Sequence, residues 1–197
     1  MQKPNITERV IKKRRTRRKA LPFSVPAYPR PDEHLVETVS AEIFTGHFFD
    51  EYLAALLARA SAAVSAEFNE DVIRTGLPIL HWRVLATLYD TDNMPMTKIA
   101  ELTLIPLPTL TRLIRRLALT GCVRTDKDPN DRRVTRVHIE LAGREKVGGL
   151  VAMAKERQRV LLDGMTNAEA LKASLRHLIA FCAARGHREN MALRTAP

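Results

Sequence analysis

The sequence has few of the residues that mark secreted domains or membrane proteins. It contains only two cysteines, Cys122 and Cys182, so neither a disulfide framework nor a cysteine-based metal site is predicted. No apolar run approaches the ~20 residues that cross a bilayer, and the N-terminus lacks an apolar core followed by a small-residue cleavage site. We therefore expect a reduced, cytoplasmic protein with no membrane partner, in which both cysteines have packing roles.

Signatures of catalysis are scarce as well. No G-x-G-x-x-G follows a predicted strand, and no nucleophile, metal-ligand or paired-acid constellation can be assembled. An enzyme that merely contained a nucleic-acid-binding module would still need a cofactor domain or such a constellation. The sequence therefore predicts a protein that is not an enzyme and that uses neither a cofactor nor a metal.

Positive charge is abundant but unevenly distributed. The formal net charge is +10, and residues 1–30 hold ten Lys or Arg against the single acid Glu8. Residues 97–138 hold nine Lys or Arg against four acids. Such local excesses favour a polyanion such as nucleic acid as the partner.

The N-terminal segment, residues 1–31, is rich first in cations and then in proline, and such a composition cannot bury enough apolar surface to order itself fully. One interpretation is a solvated tail that aids solubility. Another is an arm that contacts DNA phosphates or the minor groove and releases condensed counterions. A mitochondrial transit peptide is disfavoured by the continuous block of charge. The arginines of the DNA-contacting interpretation are Arg14, Arg15, Arg17 and Arg18.

The stretch between Pro106 and Gly121 predicts an amphipathic helix with one basic face. Its apolar residues recur at i, i+3, i+4 and i+7: Leu110, Leu113, Ile114 and Leu117. The opposite side, within about a third of the circumference, carries Thr109, Arg112, Arg115 and Arg116. A DNA major groove accepts such a helix. Leu107 is predicted at the N-cap and Pro108 at the first helical position, so the first-turn amides stay free for a phosphate.

A shorter helix is predicted immediately before the basic helix. Thr97 is a good N-cap, and the residues predicted to face inward are Ile99, Ala100 and Leu102. Pro106 helps to end this helix because proline bars the preceding residue from helical geometry. Two short helices joined by a tight turn are typical of a helix-turn-helix.

A charged β-hairpin is predicted after Gly121, which suits the left-handed residue that closes a helix. Its first strand begins directly after this glycine, and its second strand covers residues 134–139. Arg132 and Arg133 project near the hairpin tip, where an arginine suits a narrow minor groove, and the Asp131 carboxylate can fix the Arg133 rotamer. Helix, turn, helix and hairpin together predict a winged helix-turn-helix.

These motifs resemble those of the MarR family of bacterial transcription regulators. The resemblance extends over roughly residues 44–184 in architecture, and its most specific motif is Asp131-Arg132-Arg133 in a correctly placed wing. One departure is Glu140, where the family usually has a capping threonine. The other matching stretches are residues 80–85, 99–100, 109–117, 121–123 and 139–144.

The resemblance implies a mainly α-helical fold with a small β-wing, in which dimerisation helices flank the winged helix-turn-helix. Residues 1–31 would form the flexible basic arm and residues 77–140 the DNA-binding domain. Residues 32–76 and 141–190 would form the helical dimerisation region, with a monomeric helical bundle as the alternative.

Helical periodicity predicts the elements of that dimerisation region. A long helical region is expected over residues 32–69 and another helix over residues 141–162. The Gly148-Gly149 pair would mark a bend or a close helix contact in the second of these. A capping box of Thr166 and Glu169 is predicted to open the last helix.

The resemblance further implies a homodimeric transcriptional regulator, in most members of the family a repressor. Its two basic helices would bind a pseudo-palindrome in double-stranded DNA, with half-sites about one helical turn apart. The alternative is a non-sensing architectural nucleic-acid-binding protein that uses the basic arm. The candidate DNA contacts outside the arm are Thr109, Thr111, Arg112, Arg115, Arg116, Asp131, Arg132 and Arg133.

A small effector that releases the protein from DNA is also implied. Relatives respond to aromatic acids, phenols or their CoA thioesters, which is an expectation by family analogy. The candidate ligand contacts are Phe48, Tyr52, His81, Trp82 and Arg83. From the residues alone, a surface position for His81 and Arg83 is favoured over a ligand contact.

Overall fold

The computed structural model describes the backbone of residues 33–195 and the side chains of residues 36–185, so the basic arm predicted at residues 1–31 lies outside the described residues. The helix-turn-helix, the hairpin and the two C-terminal helices follow the predicted order, and a short additional strand precedes the first helix of the helix-turn-helix. The elements are α1 (Glu33–Ile43), α2 (Phe48–Glu51), α3 (Leu53–Arg74), α4 (Ile79–Asp90), β1 (Met94–Pro95), α5 (Met96–Thr103), α6 (Leu107–Leu119), β2 (Val123–Lys127), β3 (Thr135–Ile139), α7 (Leu141–Asp163) and α8 (Ala168–Thr195).

Apolar side chains from α4, α5, α6 and α7 form one core against the sheet. Leu85 and Leu88 of α4, Ile99 of α5 and Val147 of α7 are fully buried in it. Each such side chain stabilises the fold by ~1.5–3 kcal/mol relative to an exposed position. The predicted stripe of α6 is buried in the same core, which confirms which side of α6 faces outward: Leu110, Leu113, Ile114 and Leu117.

The sheet has three antiparallel strands in the order β1-β3-β2. Val137 of β3 pairs with Met94 of β1 and, on the other side, with Thr125 of β2. Val137 and Ile139 are both buried, which is the alternation typical of a half-buried strand. β1 was not predicted, because two residues that include a proline give too little pattern to indicate a strand.

The starts of α5 and α6 differ slightly from those predicted. Pro95 is the N-cap of α5, so Thr97 lies inside the helix, and Pro106 is the N-cap of α6, so Leu107 takes the first helical position. Both prolines have extended backbone (ψ 139° and 136°), which suits a cap residue, and their fixed φ requires no adjustment. Neither cap accepts a hydrogen bond through its side chain, as expected for α6.

The inward face of α5 also differs from the prediction in one residue. Leu102 is 52% exposed, whereas Thr103 is buried and donates its hydroxyl to the carbonyl oxygen of Ile99 at 2.6 Å. At ~100° per residue, Ile99, Ala100 and Thr103 lie within about 100° of one another, and Leu102 falls about 60° outside that arc. Leu102 was therefore assigned to the wrong face.

The N-terminal helical region is interrupted rather than continuous. Gly46 has φ +80°, and the Asp50 carboxylate accepts the backbone N–H groups of Thr45 at 2.9 Å and His47 at 3.2 Å, which fixes a turn between α1 and α2. The extended backbone of Tyr52 then separates α2 from α3. The prediction of one long region over residues 32–69 is corrected to three helices, of which α3 is the longest.

The start of α7 makes a close contact that was not predicted, and the start of α8 corrects one further expectation. A Cβ on Gly143 would overlap the carbonyl oxygen of Cys122 and lie 2.9 Å from Ile139 Cγ1, whereas one on Gly148 would meet only the Tyr89 side chain, at 3.6 Å. The tight approach of α7 to Cys122 and to β3 is therefore at Gly143, and the bend or close helix contact at the Gly148-Gly149 pair stays a prediction. α8 begins at Ala168, and the Glu169 carboxylate pairs with Lys172, so the predicted capping box is absent.

Large apolar side chains are exposed on α3 and α8, two of the long helices that flank the winged domain. They include Leu53 and Val64 on α3 and Ile179 (69% exposed) and Phe181 on α8. Cys182 is exposed on α8 as well, so its predicted packing role is not met within this chain, whereas Cys122 is buried as expected. None of the helices described is both long and apolar enough to cross a membrane.

Candidate nucleic-acid interface

The outward face of α6 is a row of exposed polar side chains. Thr109, Arg112, Arg115 and Arg116 are all exposed, opposite the buried leucine and isoleucine stripe. Among the residues that the structure describes, none of the three arginines forms an ion pair. Their guanidinium groups are therefore available to an external anion, and Arg can bind both phosphate and guanine edges in a bidentate manner.

Thr111 lies beside this face but has a local role. Its hydroxyl donates to the carbonyl oxygen of Leu107 at 2.8 Å and lies 3.5 Å from the sulfur of Met96 on α5. The side chain thus supports the packing of α6 on α5. The first-turn N–H groups of Leu107 and Thr109 have no intrahelical acceptor, because Leu110 makes the first helical bond, to Pro106.

The loop between β2 and β3 is held by the Asp128 carboxylate. It accepts the backbone N–H groups of Asn130 at 2.9 Å and Asp131 at 3.3 Å, and it pairs with the guanidinium of Arg136 at 2.9 Å. These contacts hold the pKa of Asp128 below its usual range, although desolvation opposes this. The N–H of Asn130 contributes most, and the N–H of Asp131 and the guanidinium of Arg136 contribute less. The loop backbone is therefore fixed in the free protein.

Arg132 and Arg133 are exposed near the tip of this loop, and within the described part of the chain neither forms an ion pair. Asp131 acts on Arg133 differently from the prediction. Its carboxylate accepts the backbone N–H of Arg133 at 2.9 Å and does not contact the guanidinium. An aspartate commonly binds a backbone N–H two residues ahead, so Asp131 fixes the loop rather than the Arg133 rotamer.

Arg136 is a structural residue that the sequence pattern did not single out. Its Nε donates to Asn93 Oδ1 at 2.7 Å, one Nη donates to the Asn93 carbonyl oxygen at 3.0 Å, and the other binds Asp128. Asn93 has φ +56°, a conformation that asparagine tolerates better than most residues. Arg136 thus joins the wing loop to the turn between α4 and β1.

Asp92 makes a second connection at the base of the wing. Its carboxylate accepts the backbone N–H of Ile139 at 2.9 Å, that of Asn93 at 2.7 Å, and a guanidinium N–H of Arg144 at 3.0 Å. Partial burial alone would raise the pKa of Asp92, but the N–H groups and Arg144 lower it overall. β3 and α7 are therefore tied to the end of α4.

The predicted ligand residues fall into separate groups. Phe48 stacks on Tyr52 with ring centroids 5.1 Å apart, and both are exposed on and beside α2. Trp82 packs edge-to-face on Phe68 of α3, also at 5.1 Å, and Arg83 is exposed on α4. Among the described side chains, no ring contact joins these two aromatic pairs.

His81 faces α6 and not the aromatic groups. It lies in a cleft of about 410 Å³ between the start of α4 and one side of α6, with Thr109, Arg112 and Arg116 in the same lining. Burial is the main cause that lowers the pKa of His81 below 6.5, followed by the positive charges of Lys146 and Arg116. The predicted ligand residue is thus next to predicted DNA contacts.

A groove of about 320 Å³ lies between α3 and α7, and Phe68 lines it. Arg157, at its edge, pairs with Glu67 at 2.8 Å and with the buried Asp71. These two carboxylates hold the Arg157 guanidinium across the helix crossing. The ring of Trp82 reaches the same region through its contact with Phe68.

A helix-turn-helix with a basic second helix, followed by a hairpin with arginines near its tip, defines the winged-helix class of DNA-binding proteins. Comparison with known proteins identifies the family. A model described as the MarR family matches residues 77–135. The MarR family transcriptional regulator SPO1453 from Silicibacter pomeroyi DSS-3 is 35% identical, with a TM-score of 0.63 over 69% of this chain and 98% of that one. The chain belongs to the MarR family.

Two further relatives agree with this assignment. The HTH-type transcriptional repressor IacR of Pseudomonas putida is 26% identical over 113 residues, which cover 57% of this chain and 68% of that protein. BpsR of Bordetella bronchiseptica, whose DNA binding is regulated by 6-hydroxynicotinic acid, is 26% identical, with a TM-score of 0.55 over 70% of this chain and 96% of that one. The protein is thus a transcriptional regulator and not an enzyme, and the predicted family and fold class are confirmed.

Proposed function

We propose that the protein is a homodimeric repressor that binds a pseudo-palindromic operator through α6 and the wing. The observation that carries this proposal is the exposed face of α6, where three arginines stand opposite a fully buried stripe. α6 would lie in the major groove, and Arg132 and Arg133 would reach the adjacent minor groove. Thr111 and Asp131 would support these contacts, and the arm would add phosphate contacts through Arg14, Arg15, Arg17 and Arg18.

The apolar surfaces of α3 and α8 support a dimer. Ile179 and Phe181 on α8 and Val64 on α3 are more than half exposed in the single chain. Exposed apolar helix faces of this kind are usually covered by a partner, and a two-fold axis would place two copies of α6 on successive half-sites. Sedimentation of the full chain should therefore give a dimer at micromolar concentration.

Sequence-specific DNA binding is tested with DNA from upstream of the gene and scrambled DNA of equal length, each at two salt concentrations. The native sequence should bind more tightly at both. If Arg112 makes a bidentate contact to guanine, Arg112→Ala should lose ~1–3 kcal/mol on the native sequence and little on scrambled DNA. The matched control is Arg176→Ala, an exposed arginine on α8. Equal binding of both DNAs by the parent would favour the architectural alternative.

We further propose that a small aromatic acid, phenol or CoA thioester releases the protein from DNA. The regulation of the related BpsR by an aromatic acid supports this class of effector. The exposed rings of Phe48 and Tyr52, and Trp82 beside the α3–α7 groove, offer surfaces for a planar ligand. Arg83 is the first candidate for the carboxylate, and His81 was predicted as a second contact.

Thermal-shift screening of aromatic acids and thioesters tests the effector proposal. A ligand that stabilises the non-binding state by ~2–3 kcal/mol should weaken DNA binding by ~30–150-fold and should itself bind more weakly to the DNA complex. Arg83→Ala should reduce its affinity, and Arg176→Ala should not. An Arg83→Ala variant that binds the ligand as tightly as the parent would show that the carboxylate lies elsewhere.

A further inference from the structure

The cleft between α4 and α6 has a one-sided chemistry. The polar side chains that line it are His81, Thr109, Arg112 and Arg116, and its remaining lining is proline, leucine and isoleucine. No acidic residue is among the lining side chains. The cleft is therefore suited to an anion and has no internal counter-charge.

The backbone of α4 adds to this polarity. Its N-cap, Pro78, makes no side-chain cap, and the first helical bond runs from the N–H of Trp82 to the Pro78 carbonyl oxygen at 3.0 Å. The N–H groups of residues 79–81 therefore have no intrahelical acceptor at the positive end of the helix. Arg112 and Arg116, from the neighbouring helix, complete the positive surroundings.

The charged groups that line the cleft or act on His81 are all cations. Arg112 and Arg116 face it from α6, Lys146 acts on it from α7, and Arg83 follows two positions later on α4 itself. The imidazole thus has cationic neighbours on both α6 and α7. An anion that entered the cleft would replace repulsion with attraction.

We propose that the cleft receives a backbone phosphate of the bound DNA and that His81 contacts this phosphate, so that DNA binding strengthens as the pH falls. The inference rests on the proposed function, because it requires α6 in the major groove. That groove is ~12 Å wide and a helix with its side chains is ~10–12 Å across, so the sides of the helix meet the phosphates that border the groove. The cleft lies along one of those sides.

The direction of the pH effect follows from proton linkage. In the free protein, burial, Lys146 and Arg116 hold the pKa of His81 below its usual range and so favour the neutral imidazole. A phosphate in contact favours the imidazolium form and raises the pKa of His81 in the complex. Binding then takes up a proton, and the affinity increases by at most tenfold per pH unit as the pH falls from the pKa of the complex towards that of the free protein.

The test is the dissociation constant of the full chain on its upstream DNA between pH 6 and pH 8 at constant ionic strength. We expect the parent to bind about three- to tenfold more tightly at pH 6 than at pH 8, and we expect His81→Gln to lose this dependence. The matched control is His138→Gln, because His138 lies on the wing and contacts Asp126 at 3.2 Å. Its pH dependence should equal that of the parent.

Neutral phosphate analogues provide a second readout that does not depend on a variant folding correctly. Methylphosphonate replaces one phosphate at a time along the half-site. Methylphosphonate at one position of the DNA should remove the pH dependence of the parent protein. At that position, the substitution should lower the affinity of His81→Gln for the DNA far less than it lowers the affinity of the parent.

Three results would overturn the inference. If His81→Gln keeps the pH dependence of the parent, another group titrates. If only His138→Gln loses the pH dependence, the titrating group lies on the wing. Weaker binding of an aromatic acid by His81→Gln, with an unchanged pH profile on DNA, would assign the cleft to the effector. These results leave operator binding intact, whereas equal affinity for native and scrambled DNA at every pH would refute the proposed function as well.

Discussion

Two glycines of α7 should respond in opposite ways to the same substitution. A Cβ on Gly143 overlaps the Cys122 carbonyl oxygen, which already accepts the backbone N–H of Glu140 at 2.9 Å. A Cβ on Gly148 reaches only ordinary van der Waals distance, 3.6 Å from the Tyr89 hydroxyl. Gly143→Ala and Gly148→Ala therefore form a matched pair within one helix, and only the first forces the backbone to move.

The magnitudes follow from these distances. Overpacking against a backbone atom costs ~1–3 kcal/mol. A strained Glu140 bond adds ~1 kcal/mol, and the better helix propensity of alanine offsets about the same amount. Gly143→Ala should thus lower the free energy of unfolding by ~1–3 kcal/mol, whereas Gly148→Ala should raise it by ~0.5–1 kcal/mol.

Urea denaturation followed by circular dichroism measures both changes, at one protein concentration because the proposed dimer makes stability concentration-dependent. In a thermal scan, each kcal/mol corresponds to ~2–4 °C for a chain of this size. A Gly143→Ala protein that is as stable as Gly148→Ala would refute the reasoning, because it would mean that α7 moves off the sheet at no cost.

Three further predictions concern the wing, the arm and acid stability. Arg136→Leu should weaken operator binding more than Arg124→Leu does, because Arg136 connects the wing loop to Asn93 whereas Arg124 is an exposed residue of β2. Equal losses of affinity in a binding titration would contradict this. Deleting residues 1–30 should make the dependence of log affinity on log salt shallower by roughly the number of phosphates that the arm neutralises, and an unchanged slope would leave the arm a solubility tail. Because its pKa is lowered in the folded protein, the Asp92 carboxylate stabilises the fold above about pH 4, and this contribution is lost as the pH falls further. The free energy of unfolding of Asp92→Asn should therefore decrease less than that of the parent between pH 6 and pH 3.

The face of α6 could be predicted because its information is local. Periodicity at 3.6 residues specifies the buried stripe within one helix, and the arginines opposite it follow without knowledge of any other element. The start of α5 and the orientation of Leu102 were predicted wrongly because this helix is short. Eight residues give only two turns of pattern, and proline can be the N-cap of a helix as well as its first residue.

The hydrogen bonds from Arg136 to Asn93, which join the wing loop to the turn between α4 and β1, could not be predicted, because the two residues are distant in sequence. Arg136 and Asn93 are 43 positions apart, and nothing in the alternation of β3 distinguishes this arginine from an exposed one. His81 was likewise assigned to an effector pocket on the basis of its helix, and only the packing of α4 against α6 brings it to the cleft. The division of the chain at residues 31, 76 and 140 stays a prediction.

The fixed loop of the wing also affects how fast the protein can bind DNA. Asp128 and Asp131 hold the loop backbone before any DNA is present, so its conformational entropy is lost during folding and not during association. Only the side chains of Arg132 and Arg133 remain to be ordered, at ~0.5–1.5 kcal/mol each. The negative potential of DNA can attract a rigid loop that carries two mobile cations from a range of approach angles. Association should therefore be rapid and limited by diffusion rather than by rearrangement of the wing.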